Sequence, residues 1–173
     1  PVVMLEHKGL YWSKVPGTAA AKTKEPSKDY VVPFGKARIA LEASPEKIEQ
    51  GDSLCVITYG MGVHWAKNAA LEFDGRIEVL DLRTILPWDT EMVFDRVKTH
   101  GKCLVLTEEQ LTNSFAESVA GKIAHHCFEH LDAPVFSMGA LDTPAVPLNM
   151  SLEAAMLPSA EKVKSKMEEI LAY

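Results

Sequence analysis

The sequence predicts an α/β protein built as a three-layer sandwich, with helices on both faces of a mostly parallel sheet. From Gly51 onward, short apolar runs alternate with longer segments whose apolar residues recur at helical spacing. Strands separated by helices of that length pair in parallel, because a parallel neighbour is reached only by a crossover. The apolar runs are also continuous rather than alternating with polar residues, which is the pattern of strands covered on both faces.

Taken in order, Pro1 to Leu5 is apolar and reads as a short buried strand, after which Glu6 to Trp12 turns polar and aromatic. Lys14 to Asp29 has no periodicity and holds two prolines, a glycine and four lysines, the composition of a loop or linker. Tyr30 to Leu41 can form a short strand around Ala37–Leu41, placed at a sheet edge. Ser53 to Tyr59 is a strand ending at Gly60. Val63, Ala66, Ala69, Ala70 and Phe73 then mark a helix that Gly75 stops.

Ile77 to Leu82 is the second strand of this alternating part. Asp89 can cap a helix carrying Met92, Val93 and Val97, closed by Gly101. Cys103 to Thr107 is the third strand. Ser114 and Glu117 have the spacing of a capping box, in which each side chain satisfies a free backbone N–H at the helix start. Phe115, Val119, Ile123, Cys127, Phe128 and Leu131 form the apolar stripe of that helix. Ala133 to Met138 is the fourth strand. After a proline-rich loop, a last helix from about Ser159 buries Val163, Met167, Ile170 and Leu171.

Composition narrows the function classes. The 173 residues suit one ordinary domain, and 24 acidic against 18 basic side chains give a net charge of −6. Nucleic acid, whose phosphates need a basic surface, is disfavoured; a basic protein partner is favoured. No apolar run approaches the roughly 18 residues that cross a bilayer, and the start has no signal-peptide features. A soluble, intracellular protein is therefore expected, with no membrane partner. Cys55, Cys103 and Cys127 are odd in number and lie inside apolar patterns, so they read as reduced core thiols. The opening on Pro1, without an initiator methionine, reads as a boundary inside a longer polypeptide.

Catalytic patterns are sparse. Tyr59-Gly60-Met61-Gly62-Val63-His64 is only a Gly-x-Gly; it lacks the third glycine of a dinucleotide loop, although Asp81 follows at about 20 residues. The simpler reading of the glycines is a tight strand-to-helix turn. His125, His126 and His130 lack a carboxylate or cysteine at metal-ligand spacing and read as a solvated face. His64 reads as a packing or interface residue. Glu6-His7 and Glu108-Glu109 lie where apolar strands end, the usual ligand edge of open α/β sheets. Neighbours on an extended chain point opposite ways, so Glu108 and Glu109 do not form an acid–base dyad. No residue of the chain is expected to be catalytic, and no metal site is expected.

Several stretches resemble the beta subunit of the decarboxylating component of 2-oxo acid dehydrogenases, and in the same order. They are Val2–Tyr11, Val32–Ala37, Ile57–Gly60, Val79–Asp89, Leu131–Val135, Asp142–Pro144 and Leu157–Ala160. The resemblance implies a transketolase carboxyl-terminal domain fold, a five-stranded mostly parallel sheet with one antiparallel edge strand. Residues 1–29 would then be the end of a preceding domain and a linker, and 30–173 the domain itself.

The resemblance also implies thiamine diphosphate and magnesium in the full enzyme, bound between an alpha subunit or fused alpha region and a preceding beta domain that carries the catalytic histidine. This chain would not bind the cofactor. Its partners would be the alpha part, a second beta copy and the basic subunit-binding domain of the lipoyl acyltransferase, the last held by Asp132 and Tyr173. The location would be the cytoplasm, or the mitochondrial matrix in a eukaryote, and branched-chain 2-oxo acids are favoured over pyruvate. The family's glycine-rich turn after the third strand is replaced here by Thr112-Asn113-Ser114-Phe115-Ala116-Glu117-Ser118, which suggests a distinct branch and leaves open whether alpha and beta are separate or fused. The alternatives are the equivalent domain of transketolase or of deoxyxylulose-phosphate synthase, and a free-standing nucleotide- or flavin-binding module.

Overall fold

The computed structural model describes residues 3–12 and 14–173. Its centre is one five-stranded sheet of β1 (Arg38–Leu41), β2 (Leu54–Thr58), β3 (Ile77–Asp81), β4 (Cys103–Gln110) and β5 (Phe136–Ala140), in the spatial order β1-β3-β2-β4-β5. Only β1 runs antiparallel, on β3, at one edge. The six helices are α1 (Pro45–Glu49), α2 (Met61–Ala70), α3 (Thr90–His100), α4 (Phe115–His126), α5 (Met150–Met156) and α6 (Ala160–Leu171).

The continuous apolar runs produce two cores. Every residue of β2 and β3 is buried. Leu54, Val56, Ile77, Val79, Leu104 and Leu106 meet α2 and α6 on one face, while Cys55, Ile57, Leu80, Cys103 and Val105 meet α3 and α4 on the other. Successive side chains of a strand point to opposite faces, so a strand covered by helices on both must be apolar throughout. The three cysteines are free and buried in the α3/α4 core. Burial raises all three thiols, that of Cys103 to about 12, which suits inert packing groups.

The caps explain where helices start. Asp89, Ser114 and Ser159 each accept from the N–H three residues on, satisfying a donor that the helix leaves free. At α4 the expected reciprocal bond is displaced by one residue: the Glu117 carboxylate accepts from Asn113 N–H at 2.8 Å. Ser114 N–H does not need it, because it donates to the Leu111 carbonyl. Asn113 itself has φ +60°, a left-handed conformation that asparagine tolerates better than most residues with a Cβ. The turn thus keeps a left-handed residue without glycine.

Four other expectations are corrected. Val3 and Leu5 are 85% and 93% exposed and outside any strand; an apolar run becomes a strand only where a neighbour takes its hydrogen bonds, and neither sheet edge takes this one. The Pro1 and Val2 part of that expectation lies outside the described residues. Phe128 is 76% exposed because α4 ends at His126 and a 3-10 turn over Phe128–His130 breaks the helical spacing. The last strand is shifted to Phe136–Ala140, and the one before it continues to Gln110. Two short helices, α1 and α5, start behind the caps Ser44 and Asn149 in stretches with too little apolar periodicity to reveal them.

The most deeply buried charge of the sheet is Glu78, the second residue of β3 and 2% exposed, and Arg96 on α3 grips it with two bonds of 2.6 and 2.7 Å. His100, one turn further along α3 and 1% exposed, places Nε2 3.3 Å from the same carboxylate and Nδ1 2.8 Å from Ser53 Oγ. Burial alone would push this carboxyl up; the hydrogen bonds from His100 and Arg96 outweigh it and hold it below the ordinary 4.5. With a depressed folded value, its stabilisation is complete above the ordinary glutamate range and fades as pH falls through the folded value. Replacing Arg96 by Ala leaves a buried charge half-compensated. It is expected to cost about 3 kcal/mol in urea unfolding and to move the acid-unfolding midpoint, followed by circular dichroism, to higher pH; an unchanged midpoint in both experiments would refute this.

Candidate functional site

In an open sheet of this kind, the chain winds outward in both directions from a point where two neighbouring strands send their helices to opposite faces, and ligands usually bind beyond the carboxyl ends of those strands. Here that point lies between β2 and β4, since α2 packs on one face and α4 on the other. The carboxyl edge there carries Thr58, Tyr59, Gly60, Thr107, Glu108 and Glu109.

The glycines serve the turn. Gly60 has φ +56° and ψ −126°, a conformation that side chains rarely adopt. At Gly62 a Cβ would overlap the buried Thr58 hydroxyl and sit 3.3 Å from Thr58 Cβ, so glycine lets the first turn of α2 settle on the end of its own strand. Asp81, the acid that a dinucleotide ribose would need, already accepts from Arg38 Nε and from Arg83 N–H, both at 3.1 Å.

Glu108 and Glu109 do point apart. Glu109 accepts from Tyr59 Oη at 3.2 Å and from Phe115 N–H at 2.9 Å, tying β2 and β4 to the start of α4. Burial raises the Tyr59 phenol, and its bond to Thr107 at 2.7 Å partly offsets that. Glu108 instead meets His7 Nε2 at 2.9 Å. The stretch around His7 therefore lies across the edge, anchored further along by Asn68 Nδ2 donating to the Gly17 carbonyl and by buried Thr18. His64, half-buried on α2, is lowered chiefly by burial, then by Lys67.

This edge does not fit thiamine diphosphate. Glu108 and Glu109 would oppose a diphosphate, and among the described residues no group of three or more His, Cys, Asp or Glu could hold a metal ion. His125, His126 and His130 are exposed, with the His126 ring stacked 4.9 Å from Phe94.

Asp132 and Tyr173 lie at the opposite, amino edge. Asp132 precedes β5 by four residues and donates its N–H to the Gly101 carbonyl at 2.8 Å. Its carboxylate is exposed and lies beside the bare Cα of Gly101. The Tyr173 ring, 63% exposed, packs edge-on against Phe136, the first residue of β5, at 5.8 Å. The fold thus brings the two residues to one end of one strand. Sequence reading missed the strap contact of His7 with Glu108 and the Ser53–His100–Glu78–Arg96 network; only Glu78, a charge inside an apolar run, signalled the latter.

The architecture is that of a doubly wound α/β domain with a mostly parallel five-stranded sheet. Residues 45–163 match the family described as transketolase, C-terminal domain, and the chain belongs to it. It is 36% identical to the 2-oxoisovalerate dehydrogenase subunit beta of Bacillus subtilis (strain 168), over 100% of this chain and 49% of that protein. It is 33% identical to the pyruvate dehydrogenase E1 component subunit beta of the same organism, again over 100% and 49%. The Pseudomonas aeruginosa 2-oxoisovalerate dehydrogenase subunit beta is 34% identical over 83% of this chain and 41% of its own length. The chain therefore spans about half the length of these relatives. A split-gene transketolase chain, solved as an inactive β4 tetramer, superposes with a TM-score of 0.65 over 87% of this chain and 46% of that one, at 18% identity. That likeness concerns the fold.

The strap contact can be tested. His7→Ala should speed amide hydrogen exchange at Leu10 and Tyr11, which donate to the His7 and Lys8 carbonyls. Because the hydrogen-bonded pair is about one-third exposed on both sides, global stability should change by less than about 1 kcal/mol. Exchange at wild-type rates would show that the pair does not hold the strap.

Proposed function

We propose that this chain is the carboxyl-terminal assembly domain of the beta part of a thiamine-diphosphate-dependent 2-oxo acid dehydrogenase. The full protein decarboxylates a 2-oxo acid and passes the acyl group to a lipoyl arm of an acyltransferase. The observation that carries this reading is the identity to beta subunits along the whole chain. Thiamine diphosphate with magnesium supplies the electron sink when bound, between the alpha part and a preceding beta domain that holds the catalytic histidine. Residues 3–29 belong to the junction with that domain and 30–173 form the assembly domain, which alone turns over nothing. A branched-chain substrate is favoured, since 2-oxoisovalerate and pyruvate enzymes of one organism share 36% and 33% identity with the chain. The setting is the cytoplasm, or the mitochondrial matrix in a eukaryote.

Partners follow from the two edges. The carboxyl edge, with its strap and the exposed Leu86, faces the alpha part and a second beta copy. The amino edge takes the basic subunit-binding domain of the acyltransferase through Asp132 and Tyr173. Electrostatics supports a basic partner there: α2, α3, α4 and α6 all end at this edge, and each helix carboxyl end bears about half a negative charge. Lys67, Lys98, His125 and His126 in the last turns offset part of it. A carboxylate without a partner adds to what remains, so a guanidinium or ammonium gains both interactions.

Asp132→Ala and deletion of Tyr173 are each expected to weaken calorimetric binding of the subunit-binding domain about tenfold, with melting temperature little changed. Wild-type affinity in both variants would refute the docking site.

A further inference from the structure

We infer that Gly101 is a positioning residue for docking at the amino edge: by lacking a side chain, it sets where the Asp132 carboxylate meets a cationic group of a partner protein. This rests on the reading of Asp132 as the contact acid. Gly101 closes α3 in the left-handed conformation, φ +69° and ψ −19°, with its N–H on the Val97 carbonyl. Its own carbonyl takes the Asp132 N–H, so one short bond joins the two backbones. The Asp132 side chain then lies across the bare Cα. A Cβ on Gly101 would sit 2.8 Å from Asp132 Cγ and 3.4 Å from its Cβ, and would overlap Oδ2.

The turn cannot shift to make room. His100, just before it, is fixed to Ser53 and Glu78 inside the sheet. Lys102, just after it, is nearly buried, gives its carbonyl to Cys55 N–H and directs Nζ at the Gly51 carbonyl at 3.3 Å. With both flanks fixed, any side chain at 101 must move Asp132 instead. The carboxylate lies beside the negative end of α3, where a like charge is unfavourable in the free domain. A partner's cation relieves that repulsion only if the carboxylate is where the cation arrives.

The test is titration of the acyltransferase subunit-binding domain into the wild type, Gly101→Asn, Asp132→Ala and the combined variant, at low and at physiological salt. Asparagine tolerates the left-handed backbone yet supplies the colliding Cβ. Gly101→Asn should lose about as much affinity as Asp132→Ala, about tenfold, and should flatten the salt dependence equally. The combined variant should bind no more weakly than Asp132→Ala alone, because both remove one interaction. Wild-type affinity and salt dependence in Gly101→Asn, with Asp132→Ala weakened, overturns the positioning role and leaves the docking site standing. Wild-type affinity in Asp132→Ala overturns both. Should Gly101→Asn not fold, Asp132→Glu decides: it keeps the charge but moves it by one methylene off Gly101, so several-fold weaker binding supports the inference and unchanged binding overturns it.

Discussion

A single buried carboxylate of the sheet constrains much of this domain. Glu78 lies near the start of β3 and is all but sealed from water, which is tolerable only because a guanidinium and an imidazole from α3 reach it. An apolar residue would pack at this point without specifying anything. A charge demands its partners at one height and one rotation of α3, and so fixes how that helix is seated on β2 and β3. The seating passes outward along the chain, from His100 to the left-handed Gly101 and from there to the loop bearing Asp132.

The two ends of the sheet are electrically unlike, and that follows from topology. Strands that run parallel with helices returning on both faces place helix starts at one edge and helix ends at the other. At the carboxyl edge the helix starts are largely satisfied from within, by Asp89, Ser114, Ser159 and the Glu109 carboxylate. At the amino edge α3 ends on a glycine, and the exposed Asp132 carboxylate lies beside it. The uncompensated helix ends thus lie at the edge opposite the switch point between β2 and β4.

Most of the fold was legible in the sequence, for physical reasons that can be named. The strands of a doubly covered sheet are apolar on both faces, so the runs Leu54–Ile57 and Val79–Leu80 announce β2 and β3. Asp89 and Gly101 bracket α3 because helix ends need an acceptor at one side and a left-handed residue at the other. What failed depends on partners distant in sequence. Val3 and Leu5 are as apolar as any strand, but nothing in their own composition says whether a neighbour is there to pair with them. The His7–Glu108 contact spans 101 residues, and no local pattern encodes it. At the candidate docking edge, Asp132 and Tyr173 were reached through resemblance. The sequence alone offered only a net negative charge, without the information that β5 brings both residues to one place.

The carboxyl edge of the sheet shows the same preference for internal ties. Its ligand edge is built of a glycine turn, two diverging carboxylates and a histidine drawn from its own leading segment. Diphosphate is repelled there, and the nearest acid suited to a ribose is already taken by two arginines. The fold has kept the geometry of a nucleotide-binding sheet while its edge chemistry serves internal ties. In the proposed assembly that edge, with its strap, faces the alpha part and a second beta copy, and the amino edge is the one proposed for a basic partner, since four helices end there beside the exposed Asp132 carboxylate.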